Sequence, residues 1–167
     1  METVQSPQAV ATIAELSKRG LTIAAAESLT AGMLCASLAA VPGASAVLRG
    51  GLVVYATDLK HRLAGVSAAT LQKVGPVAED TAVELAEGAR RACQADIGIG
   101  LTGVAGPATQ GGHPVGTVFI VVWLCRMDRS TFASVIFGEA GRTFDSKVSI
   151  SLWVWCVIFS VNMHNTK

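Results

Sequence analysis

Ser28 and Thr30 are the first residues of this sequence whose types and spacing could do chemistry. They follow a short apolar run and come directly before a predicted helix. A hydroxyl at such a turn could act as a nucleophile, because the free backbone N–H groups at the start of a helix favour a nearby negative charge. Phosphate or a developing oxyanion could bind there. The alternative is that Ser28 or Thr30 is the N-cap of the helix, and the two roles are compatible.

Tyr55 and Lys60 form a second polar group. Their spacing predicts that Tyr55 ends a strand and that Lys60 begins the next turn, so that both side chains could reach one edge of a sheet. A lysine can act as a general base only if its pKa falls well below about 10.4, which burial and neighbouring positive charge can achieve. Arg49 and Arg142 are the candidates for that neighbouring charge. The alternative is that Lys60 is an ordinary surface lysine.

Further polar and glycine-rich positions could complete a site. Glu27 could orient a hydroxyl or an amide, or it could be a solvated loop carboxylate. Gly50 and Gly51 permit a bulge or a close backbone approach. Residues 98–103 fit the pattern G-x-G-x-x-G, but the glycines fall inside a predicted strand and no helix opens at the last one, so we reject a dinucleotide-binding turn. The glycine-rich loop at 102–114 suits a ligand-facing turn as well as an ordinary surface loop.

Alternating helices and strands are predicted to position these residues. Helices are expected at residues 7–18, 31–40 and 78–92, and strands at 21–26, 52–55, 97–101 and 117–124, with 131–137 as the hairpin partner of the last strand. The helix at 78–92 has the clearest pattern, with acidic residues in its first turn and basic residues in its last. The order predicts an α/β fold with a mixed sheet covered by helices.

The composition limits the kind of protein and its partners. A chain of 167 residues is expected to form a single domain with its own core. The 13 basic and 12 acidic residues give a net charge of +1 without a basic stripe, which argues against a nucleic-acid partner. The four cysteines and three histidines lack metal-ligand spacing, so no metal is expected. The polar N-terminal segment does not resemble a signal peptide, so a cytoplasmic protein is expected.

The end of the chain is unusually apolar. Residues 148–161 contain no charged side chain, but the segment is shorter than the roughly 20 residues that a membrane-spanning helix needs. No membrane partner is therefore expected. A helix that is apolar all round must be buried on more than one side, so this segment is predicted to lie at a subunit interface or deep in the fold. A homo-oligomer is the expected assembly.

The order of these motifs resembles the CinA C-terminal domain family. The resemblance covers roughly residues 10–142 and rests on AESLTAG at 26–32, PGAS at 42–45, RGGLVVY at 49–55, LTGVAGP at 101–107 and HPVGTV at 113–118. It implies a three-layer α/β/α sandwich with a mixed central sheet. It also implies an amidohydrolase that converts the carboxamide of nicotinamide mononucleotide, a small-molecule nucleotide, to nicotinic acid mononucleotide and ammonia without a metal or another cofactor.

The resemblance assigns roles to individual residues. Ser28 matches the family's proposed nucleophile, and Tyr55 and Lys60 match its tyrosine and lysine. Lys60 would shuttle the proton, with Tyr55 as a relay. A serine with a lysine base is a known alternative to the Ser–His–Asp triad. Thr102 matches a substrate-contacting threonine and Arg142 an arginine that could pair with the phosphate. The other expected substrate contacts are Thr30, Gly32, Arg49, Gly50, Gly103 and Gly106.

The sequence departs from the family pattern near both ends of the predicted site. Leu29 and Ala31 stand where cysteine and glycine are frequent, and Ser146 stands where family members have a further arginine. The changed C-terminal part favours a second hypothesis, in which the domain is a catalytically silent nucleotide-binding or regulatory module on the same fold. Release of ammonia from nicotinamide mononucleotide would distinguish the two hypotheses.

Overall fold

Helices and strands alternate along the part of the chain that the computed structural model describes, which comprises residues 6–126 and 129–137. The helices are α1 (Pro7–Arg19), α2 (Met33–Ala39), α3 (Thr57–Arg62), α4 (Ala68–Val74) and α5 (Glu79–Cys93). The strands are β1 (Ile23–Glu27), β2 (Leu48–Val53), β3 (Ile97–Gly103), β4 (Val118–Arg126) and β5 (Arg129–Phe137). Every predicted helix and strand within these residues is present, with shifted ends.

Local sequence signals explain the two long helices. α1 begins at Pro7, a residue that suits the first helical turn because its missing N–H would have no partner there. It ends at Arg19 and is followed by the C-cap Gly20, whose φ is 63°. α5 carries acidic residues in its first turn and basic residues in its last, as predicted. Within the described residues, no helix is both long enough and apolar enough to cross a membrane.

The five strands form one mixed sheet in the order β2-β1-β3-β4-β5. β1 runs parallel to β2 and to β3, whereas β4 is antiparallel to both β3 and β5. The carboxyl ends of three parallel strands therefore meet at one edge of the sheet, at Val53, Glu27 and Gly103. In open α/β sheets, ligands bind in the crevice outside this edge.

Helices cover both faces of the sheet, so the three-layer α/β/α sandwich is confirmed. Successive residues of a strand point to opposite faces. Ile23 and Ala25 of β1 belong to a core cluster that includes buried residues of α1 and α2. Ala24 and Ala26 belong to a second cluster, which includes Leu85 of α5 and is flanked by residues of α3 and α4.

Two glycines of β3 explain the pattern that imitates a dinucleotide fingerprint. Gly98 and Gly100 face α5, and a Cβ atom at either position would overlap the carbonyl oxygen of Ala86 or Ala82. These glycines therefore let the helix pack closely on the sheet. The strand continues through the pattern to Gly103.

The structure corrects the predicted elements around Lys60. β2 begins at Leu48 and ends at Val53, so Gly50 lies inside the strand and Tyr55 lies beyond its end. Lys60 lies on α3 and not in a turn. Neither α3 nor α4 was predicted, because helices of 6 and 7 residues are too short to show a clear apolar period. The apolar segment 148–161 lies outside the described residues.

Candidate active site

A cleft of about 160 Å³ opens at the edge of the sheet where the three parallel strands end. Its walls are formed by the turn after β1, the first part of α3, the residues before α5 and the loop after β3. Several predicted site residues line it, namely Ser28, Tyr55, Lys60, Thr102, Gly103 and Gly106. The topology therefore brings together side chains that are distant in the sequence.

Lys60 and Ser28 are in direct contact in this cleft. Lys60 Nζ donates hydrogen bonds to Ser28 Oγ at 3.1 Å, to the Val54 carbonyl at 2.9 Å and to the Tyr55 carbonyl at 3.1 Å. These acceptors match the three protons of an ammonium group. The side chain is only 2% exposed, so the alternative of a surface lysine is wrong.

Burial lowers the pKa of Lys60, because removal from water disfavours the charged form of a lysine. A neutral lysine has two protons and a lone pair. It can donate to the two carbonyls and accept the proton of the Ser28 hydroxyl. Among the residues that the structure describes, burial is the cause of the shift, and the expected charge of Arg49 does not contribute.

The structure places Arg49 and Gly50 away from the cleft. Gly50 pairs with Ala24, near the start of β1, whereas the cleft lies beyond the end of that strand. Arg49 Nε donates to the carbonyl of Cys93 at 3.2 Å, at the C-terminal end of α5. The structure therefore does not bring Arg49 and Gly50 to the cleft, and their substrate contacts stay predictions. Because β2 begins at Leu48, Arg49 and Gly50 lie near the start of the strand, whereas the cleft lies beyond its end.

The backbone around Ser28 is held by both neighbouring strands. Ser28 N donates to the Leu101 carbonyl at 3.0 Å, and Val54 N donates to the Glu27 carbonyl at 2.8 Å. Because side chains alternate along an extended chain, Glu27 is directed to the α2 side of the sheet and Ser28 to the α3 side. The hydrogen bonds of the two side chains agree with this arrangement.

The carboxylate of Glu27 caps α2 from within the protein. Its Oε2 accepts hydrogen bonds from Thr30 Oγ1 at 2.6 Å, Gly32 N at 3.0 Å and Leu34 N at 3.1 Å, and its Oε1 accepts one from Cys35 N at 2.9 Å. Glu27 is 1% exposed, so it orients a hydroxyl and amides as one alternative expected. The other alternative, a solvated loop carboxylate, is wrong.

This cap changes the roles expected of Thr30 and Gly32. The N-cap position is Gly32, with a left-handed φ of 101°, and neither Ser28 nor Thr30 occupies it. Thr30 and Gly32 bind Glu27 and do not line the cleft, and their substrate contacts stay predictions. The first N–H groups of α2 are already satisfied by a carboxylate. They cannot also hold a phosphate or an oxyanion.

Thr102 and Gly103 end β3 on the other side of Ser28. The fully buried Thr102 donates its hydroxyl proton to the Pro76 carbonyl, with an oxygen–oxygen distance of 2.6 Å. A Cβ atom at Gly103 would overlap the Thr117 carbonyl oxygen. Both residues therefore shape the cleft wall, and their contact with a substrate stays a prediction. Pro76 was missed as a wall residue, although its place just before the clearest helix was a usable signal.

Tyr55 lies at the mouth of the cleft and is 63% exposed. Its backbone carbonyl contacts Lys60, whereas its hydroxyl makes no hydrogen bond with any residue that the structure describes. The direct contact between Ser28 and Lys60 leaves no gap for a relay. Tyr55 therefore does not lie between Ser28 and Lys60, and its roles as a proton relay and as a ligand contact stay predictions.

Charge is scarce in the cleft. Among its described lining residues, Lys60 is the only one with a basic or acidic side chain. Arg142, the expected partner of a phosphate, lies outside the described residues. No group of three His, Cys, Asp or Glu side chains within the described part of the chain could hold a metal ion.

The mixed sheet and the serine–lysine pair at its carboxyl edge define an α/β protein with a candidate hydrolytic site. The chain belongs to the CinA C-terminal domain family, whose model matches residues 5–147. The resemblance inferred from the motifs is thereby confirmed.

Relatives in sequence and structure agree with this assignment. A competence-damage inducible protein of Limosilactobacillus reuteri is 42% identical over 146 residues, which cover 84% of this chain and 35% of that protein. One of Streptococcus pneumoniae is 52% identical over 108 residues, which cover 65% and 26%. This chain thus spans about a third or less of the length of these curated relatives.

Two solved structures share this fold. The competence/damage inducible protein CihA of Agrobacterium tumefaciens is 27% identical with a TM-score of 0.78, covering 99% of this chain and 100% of that chain. A CinA superfamily protein of Escherichia coli is 27% identical with a TM-score of 0.76, covering 93% and 87%.

Proposed function

We propose that this domain is an amidohydrolase that converts nicotinamide mononucleotide to nicotinic acid mononucleotide and ammonia. The observation that carries the proposal is the 3.1 Å contact between Lys60 Nζ and Ser28 Oγ in a cleft at the carboxyl edge of the sheet. An amide is a poor electrophile, so its hydrolysis needs an activated nucleophile, a stabilised oxyanion and an acid for the leaving nitrogen.

The serine and the lysine can supply the proton transfers of this reaction. Neutral Lys60 takes the proton of Ser28 as Oγ forms a bond to the carboxamide carbon. The resulting lysine ammonium then protonates the leaving nitrogen, the C–N bond breaks and ammonia departs. Water attacks the ester on Ser28, Lys60 again accepts a proton, and nicotinic acid mononucleotide leaves as Ser28 regains its hydrogen.

The backbone N–H of Leu29 is our candidate donor to the oxyanion. Leu29 lines the cleft, follows the nucleophile directly and donates its N–H to no other described residue. Hydrolases commonly use the N–H of the residue after the nucleophile in this way. The first N–H groups of α2 are excluded, because Glu27 already accepts from Gly32, Leu34 and Cys35.

The substrate ring would contact Tyr55. The pyridine ring of nicotinamide mononucleotide carries a positive charge, and the face of a tyrosine ring attracts cations. The exposed side chain at the cleft mouth has the freedom to offer this face. A neutral Lys60 adds no repulsion to the binding of a cationic ring.

The phosphate needs other partners, because the lysine that serves as base is neutral when the substrate reacts. We assign the phosphate to Arg142 and to backbone N–H groups of the loop after β3, which includes Gly106. Charge-assisted hydrogen bonds to phosphate are the strongest contacts that such a pocket can offer. The assignment of Arg142 rests on the family resemblance.

A catalytically silent nucleotide-binding module is the second candidate, and one observation favours it. Lys60 Nζ donates to three acceptors at once, which is the arrangement of a protonated lysine that holds a ligand pocket in shape. Such a module would bind the mononucleotide without changing it.

Ammonia release from three amides tests the proposal. Nicotinamide mononucleotide, nicotinamide and glutamine are each incubated with the full chain, and ammonia and nicotinic acid mononucleotide are quantified. We expect both products from the mononucleotide in equal amounts and little ammonia from the other two amides. Saturable binding of the mononucleotide without ammonia release would support the silent module and reject the enzyme.

A further inference from the structure

Glu27 is a buried carboxylate directly beside the proposed nucleophile, and the proposed chemistry does not use it. It is 1% exposed, and its two oxygens accept four hydrogen bonds. A charged group is buried at this depth only where such bonds offset the loss of hydration. The arrangement therefore needs a reason beyond the packing of α2.

From these contacts we infer that Glu27 is a positioning residue, whose carboxylate fixes the turn that carries the Ser28 hydroxyl against Lys60. The inference rests on the proposed function, in which Ser28 is the nucleophile.

Backbone hydrogen bonds supply only part of the restraint on the turn. Ser28 N is bound by β3, and within the turn Ala31 N donates to the Ser28 carbonyl at 3.0 Å and Met33 N to the Thr30 carbonyl at 2.9 Å. Glu27 adds the remaining restraint, because its side chain joins the strand end to donors three, five, seven and eight residues later. Without the carboxylate, these donors lose their acceptor in the protein interior.

A displaced turn would move Ser28 Oγ away from Lys60 Nζ, which is held separately by the carbonyls of Val54 and Tyr55. Reactions between positioned groups are sensitive to such shifts, and a misplacement of about 1 Å can cost on the order of 100-fold in rate. Substrate binding depends on other walls of the cleft. The loss of Glu27 should therefore lower kcat much more than it raises KM.

Three of the four hydrogen bonds are accepted by Oε2 and one by Oε1. This difference predicts that two substitutions of Glu27 lower the rate to different extents. A glutamine oxygen at the place of Oε2 keeps the bonds from Thr30, Gly32 and Leu34, while its NH2 group faces the N–H of Cys35 and loses that bond. Glu27→Gln should therefore be mild and Glu27→Ala severe.

Asp96 offers a matched control, because it binds the chain at the start of β1, whereas Glu27 lies at the end of that strand. Its Oδ2 accepts from Thr22 N at 2.8 Å and from Thr22 Oγ1 at 2.7 Å, just before β1 begins. Its substitution removes a carboxylate that anchors β1 without touching the Ser28 turn. Asp96 variants therefore measure the effect of general destabilisation on activity.

The experiment compares Glu27→Gln, Glu27→Ala, Asp96→Asn and Asp96→Ala in the full chain. For each, urea unfolding gives the stability, and kcat and KM are measured with nicotinamide mononucleotide. The rate of phosphonylation by a fluorophosphonate probe is followed by mass spectrometry. In that reaction Ser28 Oγ forms a bond to phosphorus, fluoride leaves and Lys60 takes the proton.

We expect Glu27→Ala to lower kcat and the Ser28 labelling rate by about 100-fold, with KM changed less than about threefold. Glu27→Gln should keep between about a tenth and about a third of both rates. The Asp96 variants should be destabilised, with both rates within about twofold of wild type. If Glu27→Ala does not fold, the test rests on Glu27→Gln. We then expect this variant to lose kcat by about threefold or more and the Asp96 variants to show no such loss.

Four results would overturn the inference. One is a set of folded Glu27 variants with wild-type kcat and labelling rate. Another is a loss of both rates in the Asp96 variants and the Glu27 variants alike, in proportion to their loss of stability. A wild-type chain that is not labelled at Ser28 and releases no ammonia would overturn the proposed function and this inference with it. A labelled wild type with an equally labelled Glu27→Ala would overturn this inference alone.

Discussion

Lys60 Nζ lies 3.1 Å from Ser28 Oγ although the two residues are 32 positions apart in the chain. The topology causes this contact, because β1 and β2 are parallel and end at the same edge of the sheet. Ser28 directly follows β1, and Lys60 is carried by the short helix that follows β2. A hydroxyl thus meets a base whose pKa is lowered by burial.

The first prediction concerns the replacement of the base by arginine. Lys60→Arg places a permanently charged group at this position, and this group cannot give up its proton at ordinary pH, so kcat should fall by roughly 100- to 10,000-fold. The control is Lys73→Arg, a substitution of an exposed lysine on α4, which should keep full activity. A Lys60→Arg enzyme that retains more than half of the wild-type kcat would show that Lys60 holds charge and is not the base.

The pH dependence of the reaction follows from the direction of the pKa shift. Burial favours neutral Lys60, and only the neutral form can accept the serine proton. The logarithm of kcat/KM should therefore rise with pH and level off above the pKa of Lys60, at a pH below the pKa of an exposed lysine. Initial rates across buffers of constant ionic strength check this. A rate that falls over the same pH range would contradict the assignment of Lys60 as the base.

Two variants of Tyr55 distinguish a ring contact with the substrate from a role as a proton relay. Tyr55→Phe keeps the aromatic face and should retain most of kcat, whereas Tyr55→Leu loses the face and should raise KM. Cation–π contacts of about 0.5–2 kcal/mol correspond to a change of roughly two- to thirtyfold. Steady-state kinetics with nicotinamide mononucleotide measure both values. If Tyr55→Phe loses as much kcat as Lys60→Arg, the tyrosine hydroxyl takes part in proton transfer after all.

The sequence contains enough information for the order of the elements and for the family, but less for the details of the site. α5 could be predicted because burial of one face imposes a helical period on its side chains. β3 could be predicted because it is buried along its whole length and is therefore a short run without charged residues. Residues of the cleft could be named from motifs, because motifs that follow parallel strands meet at one edge of the sheet. The misplaced Arg49 shows the limit, since its position depends on where β2 begins.

The cap of α2 could not be predicted from sequence patterns. Local rules look for a serine or threonine at the N-cap, whereas the acceptor here is Glu27, several residues earlier and on the strand. The burial of Lys60 was equally hidden, because its hydrogen-bond acceptors are backbone carbonyls with no sequence signature. Both features arise from how the strand ends and the helices meet.

The most direct test of the account is ammonia release from nicotinamide mononucleotide by the wild-type chain and by Ser28→Ala. Ser37→Ala is the matched control, because its hydroxyl only donates to the Leu34 carbonyl within α2. We predict steady release by wild type and by Ser37→Ala, and at least about a 1,000-fold loss in Ser28→Ala with the binding of the mononucleotide retained. Near-normal release by Ser28→Ala, or no release by the wild-type chain, would contradict the central claim that Ser28 and Lys60 hydrolyse this amide.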